Sequence, residues 1–489
     1  MNTHPFSRVF SFSSWWRFAL MFIVVYFSLI LRQAPFGDEA WDWGMVDRSI
    51  YIAAGRPGLA LYLNVFEGHG VPYAYGVAAA LFFAILVSLQ LSFLGCRSRV
   101  LKWAFVAVQL GIIQFSYAMI DCYQADAVML GELCATAAYV LASRQGTVWC
   151  RLAGAALLVA AAASVYQLIV LLIPVLFMAH VFLNRKNSTP LRDLRLGIKV
   201  AAVGLAGILL YQVVQAACKM NVSSEAIECV QSYQNTLVTW GQLDLKTHIL
   251  HIGKQWCMHL IGMGYAGEYL YATCIIPVVL LVVSEMRDRT RKLPHRLWYA
   301  AMPPAMYLLP FLPIAALGED QGARLFMAEP LAAACLWMLL IRKLEWDFKK
   351  VARCIVYSAS GLVMLKACYM VSDIAFFQHR IFIQNQTAHG MLKQRIAQVE
   401  DKAGLETGTT PVILCGQWKS ELRKRDQFNS CIINISEFFF YTHAGDWQII
   451  PSGKATIPAD KLARLLADMP AWPAPGSVRY ADGYIIVKF

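Results

Sequence analysis

The chain has 489 residues, of which 58% are hydrophobic and only 15% charged, and its mean hydropathy is +0.49. Soluble domains run nearer about 45–50% apolar and about 25% charged, so the composition displaces a soluble globular class in favour of a polytopic membrane protein. The formal charge of +12 does not point to nucleic acid, because the basic residues cluster in short loops between apolar runs, as a membrane topology signal does.

About 20 apolar residues cross the hydrocarbon core. That rule predicts about eleven spans, at 15–31, 74–94, 103–120, 124–141, 152–163, 167–183, 200–218, 269–284, 297–317, 325–341 and 354–371. The first follows Arg8 and Arg17 and runs into Arg32-Gln33-Ala34-Pro35 without a small-residue cleavage site, so it reads as an uncleaved signal anchor. The stretch 152–183 reads as a hairpin turning at Ser164-Val165-Tyr166-Gln167. A single long helix there would export Arg185, Lys186, Arg192, Arg195 and Lys199, against the rule that Lys and Arg stay in the cytoplasm. Arg97, Arg99, Lys102, Arg144, Arg151, the Arg287–Arg296 run and the Arg342–Arg353 run share that side. The amino terminus is therefore expected inside, and an odd number of spans sends the carboxyl-terminal tail outside.

From Ser372 the long apolar runs stop. Strand-like stretches are predicted at 411–415, 431–435, 448–450 and 484–489, with a helix over 459–469. The expected fold is thus an all-α polytopic membrane domain over 1–371, with a first outer loop at 32–73, followed by a small extracytoplasmic α/β domain over 372–489. An oxidising compartment would permit a disulfide between Cys415 and Cys431, although both also suit a plain core. Six of the thirteen cysteines fall within the apolar spans, where they read as packing residues.

The chemistry is expected in the outer loops, above all in Phe36-Gly37-Asp38-Glu39-Ala40-Trp41-Asp42-Trp43-Gly44. Acidic side chains beside a bilayer lose hydration, and work on a lipid-carried substrate gives them a reason to be there. Asp38 and Glu39 open a predicted surface helix whose apolar face carries Trp43, Val46, Ile50 and Ala53, ending at Gly55-Arg56-Pro57. A carboxylate near the bilayer can deprotonate an acceptor hydroxyl, which makes Asp38 and Glu39 the candidate catalytic residues. A guanidinium can hold a phosphate by paired hydrogen bonds, and Arg48, Arg56 and Arg324 are the outer candidates. Asp42, Asp121, Asp126, Tyr166 and Gln167 complete the candidate substrate-binding set. No metal-finger spacing, Walker loop, Rossmann fingerprint or hydrolase elbow occurs.

Each of these residues has a plainer reading. Asp38 suits a helix N-cap and Asp42 the helix dipole. Trp41 and Trp43 suit interfacial anchors, Arg48 an ion pair with an acid of its own helix, and Arg324 the flank of a span. Asp121 and Asp126 suit solvated loop residues. Glu132, deeper in its apolar run, suits a structural or cavity role rather than direct catalysis.

The chain resembles the GT-C superfamily of lipid-phosphate-dependent glycosyltransferases, and more particularly the Gtr type II O-antigen glucosyltransferases of phage and bacterial serotype conversion. The resemblance rests on the pair Asp38-Glu39, on Asp47-Arg48, and on the Gly55-Arg56-Pro57 turn. Tyr166-Gln167 at a tight outer turn, Arg324 opening a late span, and the short outer α/β tail add to it. The pair reads Asp-Glu where many relatives carry Asp-Asp, so either acid stands as the base. The resemblance implies transfer of one sugar, typically glucose, from a polyprenyl-phosphate donor to a hydroxyl of a surface glycan on the periplasmic face of a bacterial inner membrane. Direct displacement would invert the anomeric carbon, with arginine stabilising the departing phosphate. A metal cofactor is not chemically required, because the leaving group is already a phosphate anion, although some relatives use a divalent one. The lipid bilayer, the donor lipid, the glycan acceptor and a companion donor-lipid synthase and flippase are the implied partners.

Other classes are kept beside it. A lipid-linked sugar flippase or transporter would more typically show proline- or glycine-broken spans with polar groups near the midplane. An O-antigen polymerase or ligase would move a whole oligosaccharide, and a receptor-like protein would leave the acidic surface helix unexplained.

Overall fold

The computed structural model describes residues 12–31, 48–66, 72–112, 122–146, 148–242, 244–264, 268–320, 323–344, 350–416, 447, 449–451 and 457–489. These fall into two compact units, the first ending at Asp373 and the second covering Ile374–Phe489.

The first unit is helical. In chain order it contains α1 (Phe12–Ile30), α2 (Ser49–Ala53), α3 (Pro57–Phe66), α4 (Pro72–Phe93), α5 (Arg99–Gly111) and α6 (Cys122–Ser143). Next come α7 (Trp149–Val165), α8 (Leu172–Asn184), α9 (Pro190–Lys219), α10 (Ser224–Leu237), α11 (Leu245–Leu260) and α12 (Tyr269–Ala272). Helices α13 (Ile275–Arg287), α14 (Leu293–Leu308), α15 (Leu312–Leu317) and α16 (Glu329–Leu344) follow. Helix α17 (Lys350–Lys402) then runs into the second unit.

Seven segments among the described residues are long and apolar enough to cross a membrane: Ala74–Phe93, Gln124–Ser143, Gln167–Asn184, Pro190–Lys219, Tyr269–Arg287, Leu293–Leu317 and Lys350–Phe377. They mark the chain as a membrane protein. The other four predicted spans fall on α1, α5, α7 and α16, with residues 113–120 of the span at 103–120 outside the described residues. From Leu331 to Ile341 nearly every side chain of α16 is buried, so this apolar run is an interior helix of the bundle.

Helix α9 shows why the apolar pattern alone understates the packing. Its buried positions Val200, Val203, Gly207, Tyr211 and Gln215 recur at three- and four-residue spacing and form one face. Leu191, Leu194, Ile198, Leu205, Leu209 and Val213 stay exposed on the rest of the helix. Contiguous apolar surface of that extent is rare on a soluble monomer, whereas lipid tails solvate it without penalty. Gly207 permits the close approach of α7: a Cβ there would lie 2.5 Å from the Val159 Cβ and 2.7 Å from the Ala156 carbonyl oxygen.

The predicted hairpin has a definite geometry. Helix α7 stops at Val165, Tyr166 is extended (φ −157°, ψ 120°), and a 3₁₀ turn at Gln167–Leu171 leads into α8. Residues 143–146, before α7, and Asn184, at the end of α8, line one cavity. The chain therefore reverses between them.

The second unit holds a mixed four-stranded sheet in the order β2-β1-β4-β3. The strands are β1 (Val412–Cys415), β2 (Ile449–Pro451), β3 (Val478–Ala481) and β4 (Tyr484–Lys488), and helix α18 spans Ala459–Ala467. Strand β1 runs parallel to both β2 and β4, while β3 and β4 are antiparallel. Val412, Leu414, Ile485 and Val487 pack on one face with Leu392 and Ile396 of α17. Ile413, Cys415 and Ile486 pack on the other with Leu462 of α18 and Met469. A sheet covered on both faces needs apolar residues at consecutive positions, which accounts for the Val-Ile-Leu-Cys and Ile-Ile-Val runs. The helix extends well past the predicted span end, because Leu392 and Ile396 mark an amphipathic continuation that an apolar-run rule does not register. Strand β3 was not anticipated either. The predicted strand at 431–435, with Cys431 and the proposed disulfide, lies outside the described residues.

Gly207→Val is expected to cost about 1–3 kcal/mol, because the added side chain meets backbone as well as Val159. Gly204→Val, where a Cβ meets nothing within 4 Å, is the matched control. Thermal unfolding in detergent checks the pair, and equal midpoints for the two variants would contradict the close α7–α9 contact.

Candidate functional site

Five of the predicted site residues are described with their side chains, and all five contact or flank the α2–α3 segment. Gly55 takes a left-handed conformation (φ +85°) between the two short helices, which turns the chain sharply before Pro57 opens α3. Its carbonyl oxygen accepts from Gln167 Nε2 at 2.7 Å and from the Tyr211 hydroxyl at 2.7 Å. The same Tyr211 oxygen accepts from Gln167 Nε2 at 2.9 Å, closing a three-membered ring of polar contacts. Gln215 Nε2 donates to the Ile52 carbonyl one turn earlier, at 2.5 Å. One face of α9 and the α7–α8 break thereby clamp the turn. A Cβ at Gly55 would fall 2.5 Å from Gln167 Nε2 and 2.9 Å from the Tyr211 hydroxyl.

Arg56 follows directly. Its guanidinium carbon sits 4.6 Å from the centroid of the Tyr166 ring, a cation–π distance. Among the described residues its buried Nε has no hydrogen-bond partner and no carboxylate pairs with it. A fixed, half-buried guanidinium with unmatched charge is disposed to take an anion.

Helix α3 carries the remaining contacts. The Tyr62 hydroxyl donates to Asp126 Oδ2 at 2.5 Å, and Asp126 Oδ1 accepts from the Ala127 amide at 2.8 Å. Asp126 is 2% exposed, which corrects the plain reading of it as a solvated loop residue: α6 is enclosed by its neighbours right up to its first turns. Arg48 Nη1 donates to Asn64 Oδ1 on the following helix. Glu132 is buried at 4% exposure. Asp38, Glu39, Asp42 and Asp121 lie outside the described residues, as does the side chain of Arg324, which falls on the turn Ala323–Phe326.

A second polar cluster escaped the sequence analysis. His259, near the end of α11, is 1% exposed. Its Nδ1 lies 2.6 Å from Glu268 Oε1 and its Nε2 3.1 Å from Asp320 Oδ2. Carboxylates accept only, so both ring nitrogens donate and the imidazole is the protonated form. Glu268 Oε2 also accepts from the Gly264 amide at 2.9 Å, and the Asp320 amide donates to Gln255 Oε1 at 3.0 Å. The ring lies against Phe311 and Phe326, with centroids at 5.5 and 4.7 Å. Burial by itself would lower the His259 pKa, but the bonds to Asp320 and Glu268 outweigh it and raise it to about 9. Asp320 stands in the loop that precedes Arg324, yet 61 residues separate it from His259 in the chain. No local spacing signals such a pair, and the same holds for Tyr62 with Asp126 and Tyr211 with Gly55.

Comparison of the chain with protein-family models, curated proteins and solved structures found no match in any of the three.

Tyr211→Phe removes one of the two side-chain donors to Gly55 and is expected to cost about 0.5–1.5 kcal/mol. Gly55→Ala, which strains the backbone and crowds both donors, is expected to cost more; thermal unfolding ranks the two, and the reverse order would undo the clamp. His259 carries a folded-state value near 9 above an unfolded one of about 6.5. Its stabilising contribution is therefore complete below pH of about 6.5 and is lost as pH rises through about 9. Unfolding midpoints measured across that window should fall more steeply for wild type than for His259→Gln.

Proposed function

We propose that the protein is a polytopic glycosyltransferase with about eleven crossings, moving a single sugar from a polyprenyl-phosphate donor to a hydroxyl of a surface glycan outside the cytoplasm. The observation that carries the reading is Arg56, held on the Tyr166 ring beside the clamped Gly55 turn with its charge unmatched among the described residues. A departing lipid phosphate is the anion such a group would stabilise, and one preorganised donor of that kind is worth about 10²–10³ in rate. Asp38 or Glu39 takes the acceptor proton in this scheme, with Arg48, Asp126 and Gln167 shaping the site around α3. The amino terminus is cytoplasmic and the carboxyl-terminal α/β domain periplasmic in this reading, which follows the distribution of Lys and Arg among the loops.

A flippase is the second reading, and one observation favours it. Gln90, Gln109 and Thr136 are all buried, with Gln109 Nε2 donating to Gln90 Oε1 at 3.3 Å, and Pro303 and Pro304 lie within α14. Polar groups and prolines within spans are what a substrate path more typically shows.

Mass spectrometry of surface glycan tests both. Bacteria supplied with the lipid-linked donor should gain one hexose per repeat when they carry the protein. The gain should vanish in an Asp38→Ala, Glu39→Ala double variant and fall about 10²–10³-fold in Arg56→Ala, each checked for membrane insertion. Altered chain length with an unchanged repeat would indicate a polymerase or ligase. No change in any glycan would sink the transferase reading in favour of translocation.

A further inference from the structure

At the end of α7 remote from Tyr166, a cavity of about 610 Å³ opens between the α6–α7 loop, the end of α8 and the first turns of α9. Its lining includes Arg144, Arg192, Arg195, Lys199, His180 and Asp193. Four cationic side chains thus share a concave site with one carboxylate. The volume lies within the range of about 300–1,000 Å³ typical of small-molecule sites.

Basic loops alone would be accounted for by membrane topology, so the arrangement of their partners decides the matter. A neighbouring basic group is neutralised: Glu285 accepts from Arg185 Nε at 2.7 Å and from Arg291 Nη1 at 3.3 Å, and Lys343 Nζ stands 3.9 Å away. The cavity has no equivalent. Asp193 is buried, and its two oxygens accept from the Ser188 hydroxyl at 2.5 Å and the Tyr299 hydroxyl at 3.0 Å. Among the described residues, Arg192, Arg195 and Lys199 form no ion pair with it or with any other carboxylate. Lys199 Nζ donates instead to the Arg144 carbonyl at 2.7 Å, and Arg151 Nη2 donates to the carbonyls of Arg144 and Gln145 at 3.3 and 3.0 Å. These bonds fix the loop that forms one wall. Asn184, Asn187 and Ser188 add neutral hydrogen-bonding groups to the lining.

We propose that this cavity binds a phosphate-bearing group, with Arg192, Arg195 and Lys199 supplying the charge. Guanidinium and ammonium groups without a carboxylate partner, gathered in a cavity, are suited to phosphate oxygens by charge and by hydrogen-bond geometry. The phosphate is either the headgroup of an anionic phospholipid or a soluble phosphorylated compound. The site is separate from the Gly55 turn and does not depend on the transferase reading.

The test uses the full chain in phosphatidylcholine nanodiscs. One arm reads retention of phosphatidylglycerol by native mass spectrometry, and the other reads pyrophosphate binding by calorimetry. Arg192→Ser with Arg195→Ser is expected to weaken binding of the recognised probe about tenfold or more. Arg97→Ser with Arg99→Ser, which removes two charges outside the cavity, is expected to leave it unchanged. Asn184→Asp adds a negative charge to the lining while keeping every basic residue, and should weaken binding even if the double variant fails to insert. Binding of phosphatidylglycerol with this pattern assigns the lipid source, and binding of pyrophosphate the soluble one. Equal weakening by the cavity and control pairs, no effect of Asn184→Asp, or no binding of either probe would each overturn the proposal.

Discussion

A backbone carbonyl at a sharp turn inside a helical bundle must find a donor, and the Gly55 carbonyl finds two. Gln167 and Tyr211 reach it from segments 112 and 156 residues away. Because Gln167 immediately follows the break between α7 and α8, the same bonds that satisfy the turn also anchor the point where the chain reverses. Arg56 and Tyr166, the neighbours of the bonded pair, are thereby brought face to face. The candidate site is thus a by-product of satisfying one buried peptide group.

The treatment of charge follows the same constraint. Glu285 gathers Arg185, Arg291 and Lys343, so burial of its carboxylate is compensated. His259 is enclosed between Glu268 and Asp320 and keeps its proton for the same reason. Arg56, and Arg192, Arg195 and Lys199 in the cavity beside α9, depart from this pattern, with no carboxylate partner among the described residues. Where a protein gathers charge without neutralising it, an external anion is the natural complement. The two places lie at opposite ends of α7, which separates the roles argued for them.

Much of this was legible in the sequence. Composition and apolar runs identify the membrane class, and seven of the predicted spans coincide with helices of crossing length. The clash between one long helix and the basic cluster at Arg185–Lys199 was enough to anticipate a reversal at Tyr166-Gln167. The strands at Val412–Cys415 and Tyr484–Lys488 were visible as short apolar runs, whereas β3, with Arg479 and Tyr480 both exposed, was not. Arg48, Arg56, Asp126, Tyr166 and Gln167 were singled out by residue type and loop position, but nothing in their spacing showed that each would meet α2–α3.

The sequence by itself determined the solvent. Its apolar runs need lipid, its basic loops carry an orientation signal, and its glycines and prolines mark where helices stop. These are local properties, set by hydration and by backbone conformation over a few residues. Tertiary structure alone decided which distant groups meet: Tyr62 with Asp126, Tyr211 with Gly55, His259 with Glu268 and Asp320, and Arg192, Arg195 and Lys199 around one cavity. Such pairings depend on how helix faces are rotated and stacked, and on how closely a glycine such as Gly207 lets two of them approach. That information resides in the packing of the whole bundle, where each polar group finds a partner only after its helix has found its neighbours.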